Sequence, residues 1–426
     1  MLSNCREWLA QSKERGMELG LKRVREAHQA LMLEAYQCTI IHVAGSNGKG
    51  TLCATLAAHF DSLDISTVMF TSPHLVRIEE RIRFNGRPID SHTFESYLNE
   101  IQMIESSLQF ELTFFEITFL VSCLCAHRNN IDVFIVETGL GGRYDATRIL
   151  PADIGVVTSL SLEHSDLLGE TLAEIAAEKA AIARPGKPLI VRKVNDLEAV
   201  TAIEDEVMNA GQIAVDGFSE SASLRWVKVT ETDSIKQEAI LLAKATLDAL
   251  NVDASGIETS ANALNWPGRF QKIPTHWNGT VLFDAAHNPS GLNKIQPELQ
   301  HAIHQHESWS LLFGCTPQQN LPSFSKPLID LCQQNPPTNI ILTKPQYGRH
   351  PGVSLDELRE LDWPPESIIT ECEDAGESYR RMEEFRDSFS IAIGSLYLVG
   401  EMFDVMGLWG SKYMELFPAK AQRDEA

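Results

Sequence analysis

The chain has 426 residues, of which 43% are apolar and 22% are charged, a composition that is typical of a globular protein and too apolar for intrinsic disorder. Its formal net charge of −22 argues against a broad nucleic-acid-binding surface, because such a surface needs a basic face. A local phosphate pocket remains possible, since it needs only one loop and a few cations.

The N-terminal part of the chain predicts short buried strands that alternate with helices. A helical region extends from residue 4 to about residue 36 and is interrupted near Gly16 and Gly20. Strands are predicted at 38–44, 67–71, 133–136, 154–158 and 188–191, and helices at 52–63, 92–107, 114–128, 170–183 and 235–250. Short apolar runs without alternation, separated by helices, indicate a parallel sheet that is covered on both faces.

A second alternating series follows a loop-like segment at 266–270. Strands are predicted at 281–283, 311–314, 340–342 and 390–393, with helices between them. We therefore predict an α/β protein with two domains, a large one at 1–271 and a smaller three-layer one at 272–426. Residues 196–232 predict no clear element.

Nothing in the sequence predicts secretion or membrane insertion. The first 20 residues lack the apolar core of a secretory signal, and the longest strongly apolar stretch, at 117–126, is too short to span a bilayer. The eight cysteines have no metal-ligand spacing. We expect a cytoplasmic protein with reduced thiols and without membrane or nucleic-acid partners.

The strongest local signal is the sequence GSNGKGT, which lies between a predicted strand and a predicted helix. Its members are Gly45, Ser46, Asn47, Gly48, Lys49, Gly50 and Thr51. A strict P-loop would have glycine at Val43 and a hydroxyl residue at Gly50, so this loop is a variant. Glycine-rich turns can also be purely structural. Because Lys49 and a helix start are both present, the pattern favours binding of nucleotide phosphates.

Three further residues are candidates for chemistry. Glu137 ends a predicted strand before a glycine-rich loop, where it could ligate Mg²⁺ or cap the following turn. His164 lies beyond another strand end, although a lone histidine is commonly an ordinary hydrogen-bonded residue. Lys179 lies on a predicted helix among alanines, which suggests a closely packed rather than a solvated face. Taken singly, these residues leave the alternatives open.

Together these segments resemble the folylpolyglutamate synthase/dihydrofolate synthase family, folate relatives of the Mur ligases. The resemblance runs from about residue 15 to residue 401 and rests on seven motifs in the family's order. They are VAGSNGKGT at 43–51, TSPHLV at 71–76 with ERIR at 80–83, ETGLGGRYDAT at 137–147, EKA at 178–180, PGR at 267–269, DAAHNP at 284–289 and GSLYLVGE at 394–401.

The resemblance implies an ATP-dependent ligase with a P-loop-type ATPase domain and a Rossmann-like glutamate-ligase domain. ATP would phosphorylate the carboxylate of a pteroate or folate acid, and the glutamate amine would displace the phosphate to form an amide. ATP and Mg²⁺ are the implied cofactors, the two acids are the implied small-molecule partners, and family members are mostly monomers.

The resemblance also implies roles for individual residues. Lys49, His164 and Lys179 would be catalytic. Ser72, Glu137 and His164 match Mg²⁺ ligands, and Lys179 matches a lysine whose carbamylation creates an anion for a second Mg²⁺. The other matches are to nucleotide contacts at Arg269 and Asp284, to positions near the glutamate at His287 and Ser395, and to a substrate loop that carries Arg77, Arg81 and Arg83.

Several positions depart from the family pattern. Glu163 stands where the family usually has Asp, Arg148 where it has Asn, Glu238 where it has an Asn that faces adenine, and 316–320 (TPQQN) where it has an Asp-Lys-Asp segment. These departures keep two alternatives open beside the folate ligase. One is a paralogous ligase that joins a different acid and amino acid, and the other is a nucleotide-binding protein without ligase activity.

Overall fold

The computed structural model describes residues 4–16, 18, 20–33, 36–162, 165–210, 221–230, 232–348 and 351–417. These residues divide into two compact units. The N-terminal unit lies within Met1–His74 and Ile78–Leu264, and the C-terminal unit lies within Leu75–Arg77 and Asn265–Ala426. Each unit is an α/β fold around a mainly parallel sheet, which confirms the fold class predicted from the sequence.

The C-terminal unit begins a few residues before the boundary that the sequence predicts after residue 271. The N–H of Asn265 donates to the carbonyl of Leu416 at 2.7 Å. The segment Leu75–Arg77 also belongs to this unit, where the Leu75 carbonyl passes so close to Gly400 that a Cβ there would lie 2.1 Å from its oxygen. Contacts between residues this far apart in the chain leave no local sequence pattern. The boundary in the structure therefore differs from the one predicted from the sequence.

The N-terminal unit is built on an eight-stranded sheet. Its strands are β1 Thr39–Ala44, β2 Thr67–Phe70, β3 Ile82–Phe84, β4 Arg87–Pro88, β5 Val133–Glu137, β6 Ile154–Val157, β7 Pro188–Arg192 and β8 Ser223–Val227. The strand order is β4-β3-β2-β5-β1-β6-β7-β8, and only the β2–β3 and β3–β4 pairs are antiparallel among the described strands. The carboxyl ends of β1, β2, β5, β6 and β7 therefore share one edge, where ligands of such sheets bind.

Helices flank the sheet. They are α1 Asn4–Gln11, α2 Lys22–Ala30, α3 Lys49–Ser62, α4 Ser91–Glu105, α5 Phe114–Arg128, α6 Ser165–Leu168, α7 Leu172–Ala180, α8 Leu197–Asn209, α9 Ile235–Ala249 and α10 Ile257–Ala263. Short 3₁₀ helices lie at Ser12–Arg15, Ile78–Arg81 and Ala146–Ile149. The predicted helix at 170–183 is α7, which begins with a capping box of Thr171 and Glu174. α8 and β8 occupy part of the region for which the sequence predicts no element.

The C-terminal unit contains a six-stranded sheet with helices around it. Its strands are β9 Gln271–Pro274, β10 Thr280–Asp284, β11 Ser310–Phe313, β12 Asn339–Thr343, β13 Ile368–Cys372 and β14 Phe389–Ile393, in the order β13-β12-β11-β14-β10-β9. Among the strands described in this sheet, only β9 is antiparallel to its neighbour. Its helices are α11 Pro289–Ile303, α12 Leu321–Gln334, α13 Leu355–Arg359, α14 Ala375–Phe385 and α15 Leu396–Val405, with a 3₁₀ helix at Lys412–Met414.

The central strands of both sheets are buried on two faces, as the continuous apolar runs predict. In β11, Leu311 and Phe313 contribute to one apolar core, whereas Leu312, which points to the other face, contributes to a second. In the N-terminal unit, Phe134 of β5 and Leu189 of β7 likewise belong to separate cores. Burial on both faces holds the strand ends in fixed positions, and these ends carry the candidate site.

Candidate functional site

The glycine-rich loop joins the end of β1 to the start of α3. Gly45 and Gly48 have φ angles of +143° and +85°, which L side chains rarely adopt. A Cβ on Gly45 would lie 1.9 Å from the Thr158 hydroxyl oxygen at the end of β6. The loop is tied to this neighbour, because Ser46 N–H donates to the Ser159 carbonyl at 2.7 Å and the Thr158 hydroxyl donates to the Asn47 carbonyl at 2.8 Å.

Two lysine side chains converge on this loop. The Lys49 ammonium, at the start of α3, donates to the carbonyls of Gly45 at 2.8 Å and Ser46 at 3.1 Å. The Lys179 ammonium, from α7, donates to the same Gly45 carbonyl at 3.0 Å and is buried, with 2% of the residue exposed. Two cations beside the N-terminus of a 14-residue helix create a strongly positive environment, which favours anions.

Glu137 and Ser72 meet at the same edge of the sheet. Glu137 ends β5 and is 4% exposed, and its carboxylate accepts a hydrogen bond from the Ser72 N–H at 3.0 Å. This proximity follows from the parallel pairing of β2 with β5, because both strands end together. Glu137 is also paired in register with Val43 of β1, two residues before the loop. The carboxylate therefore lies beside the entrance to the glycine-rich loop.

The loop that follows Glu137 is held by a buried carboxylate, that of Asp145. It accepts hydrogen bonds from the N–H groups of Gly139 and Leu140, each at 2.8 Å, and from Thr147. Burial raises the pKa of Asp145, while these hydrogen bonds act to lower it. The sequence alone predicts no role for Asp145, because its partners come together only when the loop is folded.

α7 packs closely against the loop that follows Glu137. A Cβ on Gly142 would lie 2.7 Å from the Glu178 carbonyl and 3.0 Å from that of Lys179. Arg143 then pairs with Glu178 at 2.8 Å and with Glu206 of α8. The alanines around Lys179 therefore mark a packed helix face, as the sequence predicts, and the close approach of the loop explains the glycine.

The arginines predicted for the substrate loop have different surroundings. Arg81 donates from Nε to Nδ1 of His74 at 2.9 Å and lies over the Phe114 ring, 5.0 Å from its centroid. Arg83 is buried on β3, with 1% exposed, and donates to the Gly86 carbonyl at 3.4 Å. Arg77 belongs to the C-terminal unit, where it stacks on Trp409 at 4.8 Å.

In the C-terminal unit, Asp284, His287 and Ser395 lie at the carboxyl ends of adjacent parallel strands, β10 and β14. Asp284 is buried and accepts from the N–H groups of Phe270 at 2.9 Å and Ala286 at 2.8 Å. Burial raises the pKa of Asp284, and the charge of half-buried Arg269 acts in the opposite direction. His287 is exposed, whereas the buried Ser395 caps α15 through the Tyr397 N–H at 3.1 Å.

The positions that depart from the family pattern make specific contacts. Glu238, in the first turn of α9, forms a bidentate ion pair with Arg192 at the end of β7. Two guanidinium nitrogens of Arg192 donate to its two carboxylate oxygens, each at 3.1 Å. Arg148 donates to carbonyls at the end of α7. Asn320 caps α12 by accepting from the Ser323 N–H at 2.9 Å. Neither the role of Arg192 nor the contacts of Arg148 could be predicted from the sequence, since each partner lies far away in the chain.

Oxygen atoms near the loop are of the kind that a hard divalent cation such as Mg²⁺ prefers. Glu137 carries a carboxylate, and Ser72, whose N–H meets that carboxylate, carries a hydroxyl. His164, the third predicted ligand, and its neighbour Glu163 lie outside the described residues. Within the described part of the chain, no three His, Cys, Asp or Glu side chains form a metal-binding group, and no helix is long and apolar enough to span a membrane.

Comparison with known proteins agrees with this geometry. A family model described as the Mur ligase middle domain matches residues 43–265. The chain is 32% identical over 307 residues to the dihydrofolate synthase/folylpolyglutamate synthase of Escherichia coli (strain K12), a match that covers 68% of this chain and 70% of that protein.

Two solved structures are similar over nearly the whole chain. Escherichia coli FolC in complex with DHPP and ADP has a TM-score of 0.80 and 25% identity, and the match covers 95% of this chain and 98% of FolC. The bifunctional folylpolyglutamate synthase/dihydrofolate synthase with Mn, AMPPNP and L-glutamate bound has a TM-score of 0.77 and 26% identity, with 95% and 98% covered.

Proposed function

The chain belongs to the dihydrofolate synthase/folylpolyglutamate synthase family of the Mur ligases, and from that premise we propose that it is an ATP-dependent ligase that joins glutamate to a pteroate or folate carboxylate. The main support for the proposal is that the ammonium groups of Lys49 and Lys179 both donate to the Gly45 carbonyl. This carbonyl lies at the edge of the sheet where the Ser72 N–H meets the Glu137 carboxylate. This arrangement suits a reaction in which a phosphoryl group is transferred.

In the first step, an oxygen of the substrate carboxylate attacks the γ-phosphorus of ATP, and the bond from phosphorus to the β,γ-bridging oxygen breaks. ADP leaves, and an acyl phosphate forms. The N–H groups at the start of α3 and the Lys49 ammonium would bind the phosphates and counter the charge that moves onto the leaving oxygen. Because the loop is fastened to β6, these donors need little reorganisation during the step.

Glu137 and Ser72, with His164 by resemblance to the family, would hold Mg²⁺. The bound ion supplies positive charge that stabilises the transferred phosphoryl group. Lys179 is proposed to act beside this ion in a carbamylated form, which the family resemblance implies. The carbamate would offer oxygen ligands for a second Mg²⁺. Intact-mass measurement before and after acid treatment would test this modification, because a carbamate is lost in acid.

In the second step, the amine of glutamate attacks the acyl carbon, phosphate leaves, and an amide forms with loss of a proton from the nitrogen. We propose that His287 and Ser395 bind the incoming glutamate and that Arg269 and Asp284 contact the nucleotide. Arg77, Arg81 and Arg83 are proposed to act on the acid substrate. Of these three, Arg83 is the most deeply buried, so a positioning role suits it better than direct contact.

The proposal is tested by measuring phosphate release from purified protein with Mg²⁺, ATP, glutamate and either dihydropteroate or a reduced folate. Release should require both the acid and glutamate, and mass spectrometry should identify the amide product. ATP binding without release for any pteroate or folate would contradict the proposal and leave two alternatives, a ligase with other substrates and a nucleotide-binding protein without ligase activity.

A paralogous ligase with other substrates is the second candidate. The departures from the family pattern motivate it. One of them lies where the family has a neutral amide that faces adenine, and here it is Glu238, paired with Arg192. A screen of acids and amino acids for phosphate release separates the two candidates, since strict preference for a folate would eliminate the second. We further infer a cytoplasmic monomer, which light scattering of the purified protein and localisation of a tagged chain would test.

A further inference from the structure

Two arginine side chains meet at the C-terminal end of α7. Arg148 donates to the carbonyls of Ala181 at 2.7 Å and Ala183 at 3.3 Å. Arg184 donates to the carbonyls of Ile182 at 2.6 Å and Ala183 at 3.3 Å, and to those of Arg148 and Leu150 at 2.7 and 2.9 Å. Six hydrogen bonds therefore link two guanidinium groups to the main chain.

Placing two neighbouring cations at a partly buried site costs free energy, because burial and like charge both disfavour the charged forms. Burial lowers the pKa of Arg148 to about 10 and that of Arg184 to about 9, and the charge of Arg148 contributes to the shift of Arg184. Both remain protonated at neutral pH. The carbonyls after the last turn of α7 compensate them, because these groups lack partners within the helix and carry its negative dipole end.

The position of α7 matters for the candidate site because Lys179 lies in its last turn. Its ammonium donates to the Gly45 carbonyl at 3.0 Å, so a small shift along the helix axis would break this contact. On another side, Arg143 N–H donates to the Glu178 carbonyl at 3.1 Å, and Gly142 lies against the same turn. The two arginines hold the segment that directly follows this turn.

We propose that Arg148 and Arg184 are positioning residues that set the depth at which Lys179 meets the glycine-rich loop. They act through α7 and touch no reacting atom. The inference rests on the proposed function, because it is the transfer of a phosphoryl group that gives the Lys179 contact its importance. Arg148 thereby gains a role at a position that departs from the family pattern.

The first test compares turnover of Arg148→Gln and Arg184→Gln with that of the wild type. We expect kcat to fall about 10–100-fold while KM for glutamate stays within about twofold, because losing a supporting partner of a site typically has an effect of this size. Arg148→Lys should be intermediate, since the ammonium keeps the positive charge but lacks the planar fork with which the guanidinium reaches both carbonyls. Arg225→Gln, which breaks an exposed pair with Asp248, is the matched control and should leave kcat unchanged.

The second test needs no turnover. Reductive methylation of protein that has first been freed of any carbamate by mild acid, followed by mass spectrometry, measures how readily the Lys179 amine reacts, with the more exposed Lys187 as the internal reference. Lys179 should react slowly in the wild type and several-fold faster in Arg148→Gln. If a glutamine variant fails to fold, as judged by circular dichroism, the corresponding lysine variant takes its place in both tests.

The outcomes separate this inference from the proposed function. An unchanged Lys179 reactivity in folded Arg148 and Arg184 variants would overturn the positioning role, even if kcat fell. A kcat within about twofold of wild type, in both variants, would overturn it as well. Absence of amide product from the wild-type protein would contradict the proposed function, and the methylation result would still decide the positioning role.

Discussion

The ammonium groups of Lys49 and Lys179 donate to one oxygen atom, the carbonyl of Gly45, at 2.8 and 3.0 Å. The two lysines lie on separate helices, and one of them is almost completely buried. Two cations this close repel each other, and a bound phosphate would relieve the repulsion by lying near both.

Replacing Lys49 by alanine should abolish most turnover without unfolding the protein. The variant loses a cation that would stabilise the transferred phosphoryl group, so we expect kcat to fall about 10²–10³-fold. Phosphate release measures the effect, and calorimetry with a non-hydrolysable ATP analogue measures binding. Lys187→Ala removes a surface lysine that pairs with Asp153, and it serves as the control. Equal loss of activity in both variants would argue against a specific role for Lys49.

Glu137→Gln should weaken the binding of Mg²⁺ while the fold persists. The amide oxygen can still accept the Ser72 N–H, but the negative charge that would bind the cation is lost. We expect the Mg²⁺ concentration for half-maximal activity to rise about 10–100-fold. A Mg²⁺ titration of phosphate release provides the measurement, with Glu100→Gln, a surface partner of Arg128, as the control. An unchanged titration would remove Glu137 from the set of proposed ligands.

Gly45→Ala should destabilise the protein more than Gly256→Ala. Both glycines have positive φ, so both substitutions strain the backbone by about 1 kcal/mol. Only at Gly45 would the new Cβ clash, 1.9 Å from the Thr158 hydroxyl oxygen, whereas nothing lies within 4 Å at Gly256. We expect an additional loss of about 2 kcal/mol in the free energy of unfolding, measured by urea denaturation. Adding Thr158→Ala should recover part of this loss.

Lowering the pH should destabilise the fold through His28. Burial lowers the pKa of this imidazole to about 4 from an ordinary value of 6.5, so the unfolded chain takes up a proton first as the pH falls. Stability is therefore lost between pH 6.5 and about 4, by up to about 3 kcal/mol. Denaturation of wild type and His28→Gln across this window should show a weaker pH dependence in the variant. Parallel curves would contradict the assignment.

Local sequence patterns predicted the part of the site that depends on local backbone structure. The strand, the glycine turn and the helix around Lys49 are consecutive, and Glu137 ends an apolar run that could only be a buried strand. β3, β4, β9 and β13 went unpredicted because they are short or contain polar residues, and their formation depends on neighbouring strands.

The sequence by itself therefore determined the alternation of strands and helices, the edge of the sheet where ligands bind and the residues that could carry charge there. Only the tertiary structure decided which of these residues meet. Examples are the Ser72 N–H on Glu137, the pairing of Glu238 with Arg192, and the separation of Arg77 from Arg81 into different units. The physical reason is range: hydrophobic periodicity and turn chemistry act over a few residues, whereas hydrogen bonds and ion pairs join atoms that folding brings together from distant parts of the chain.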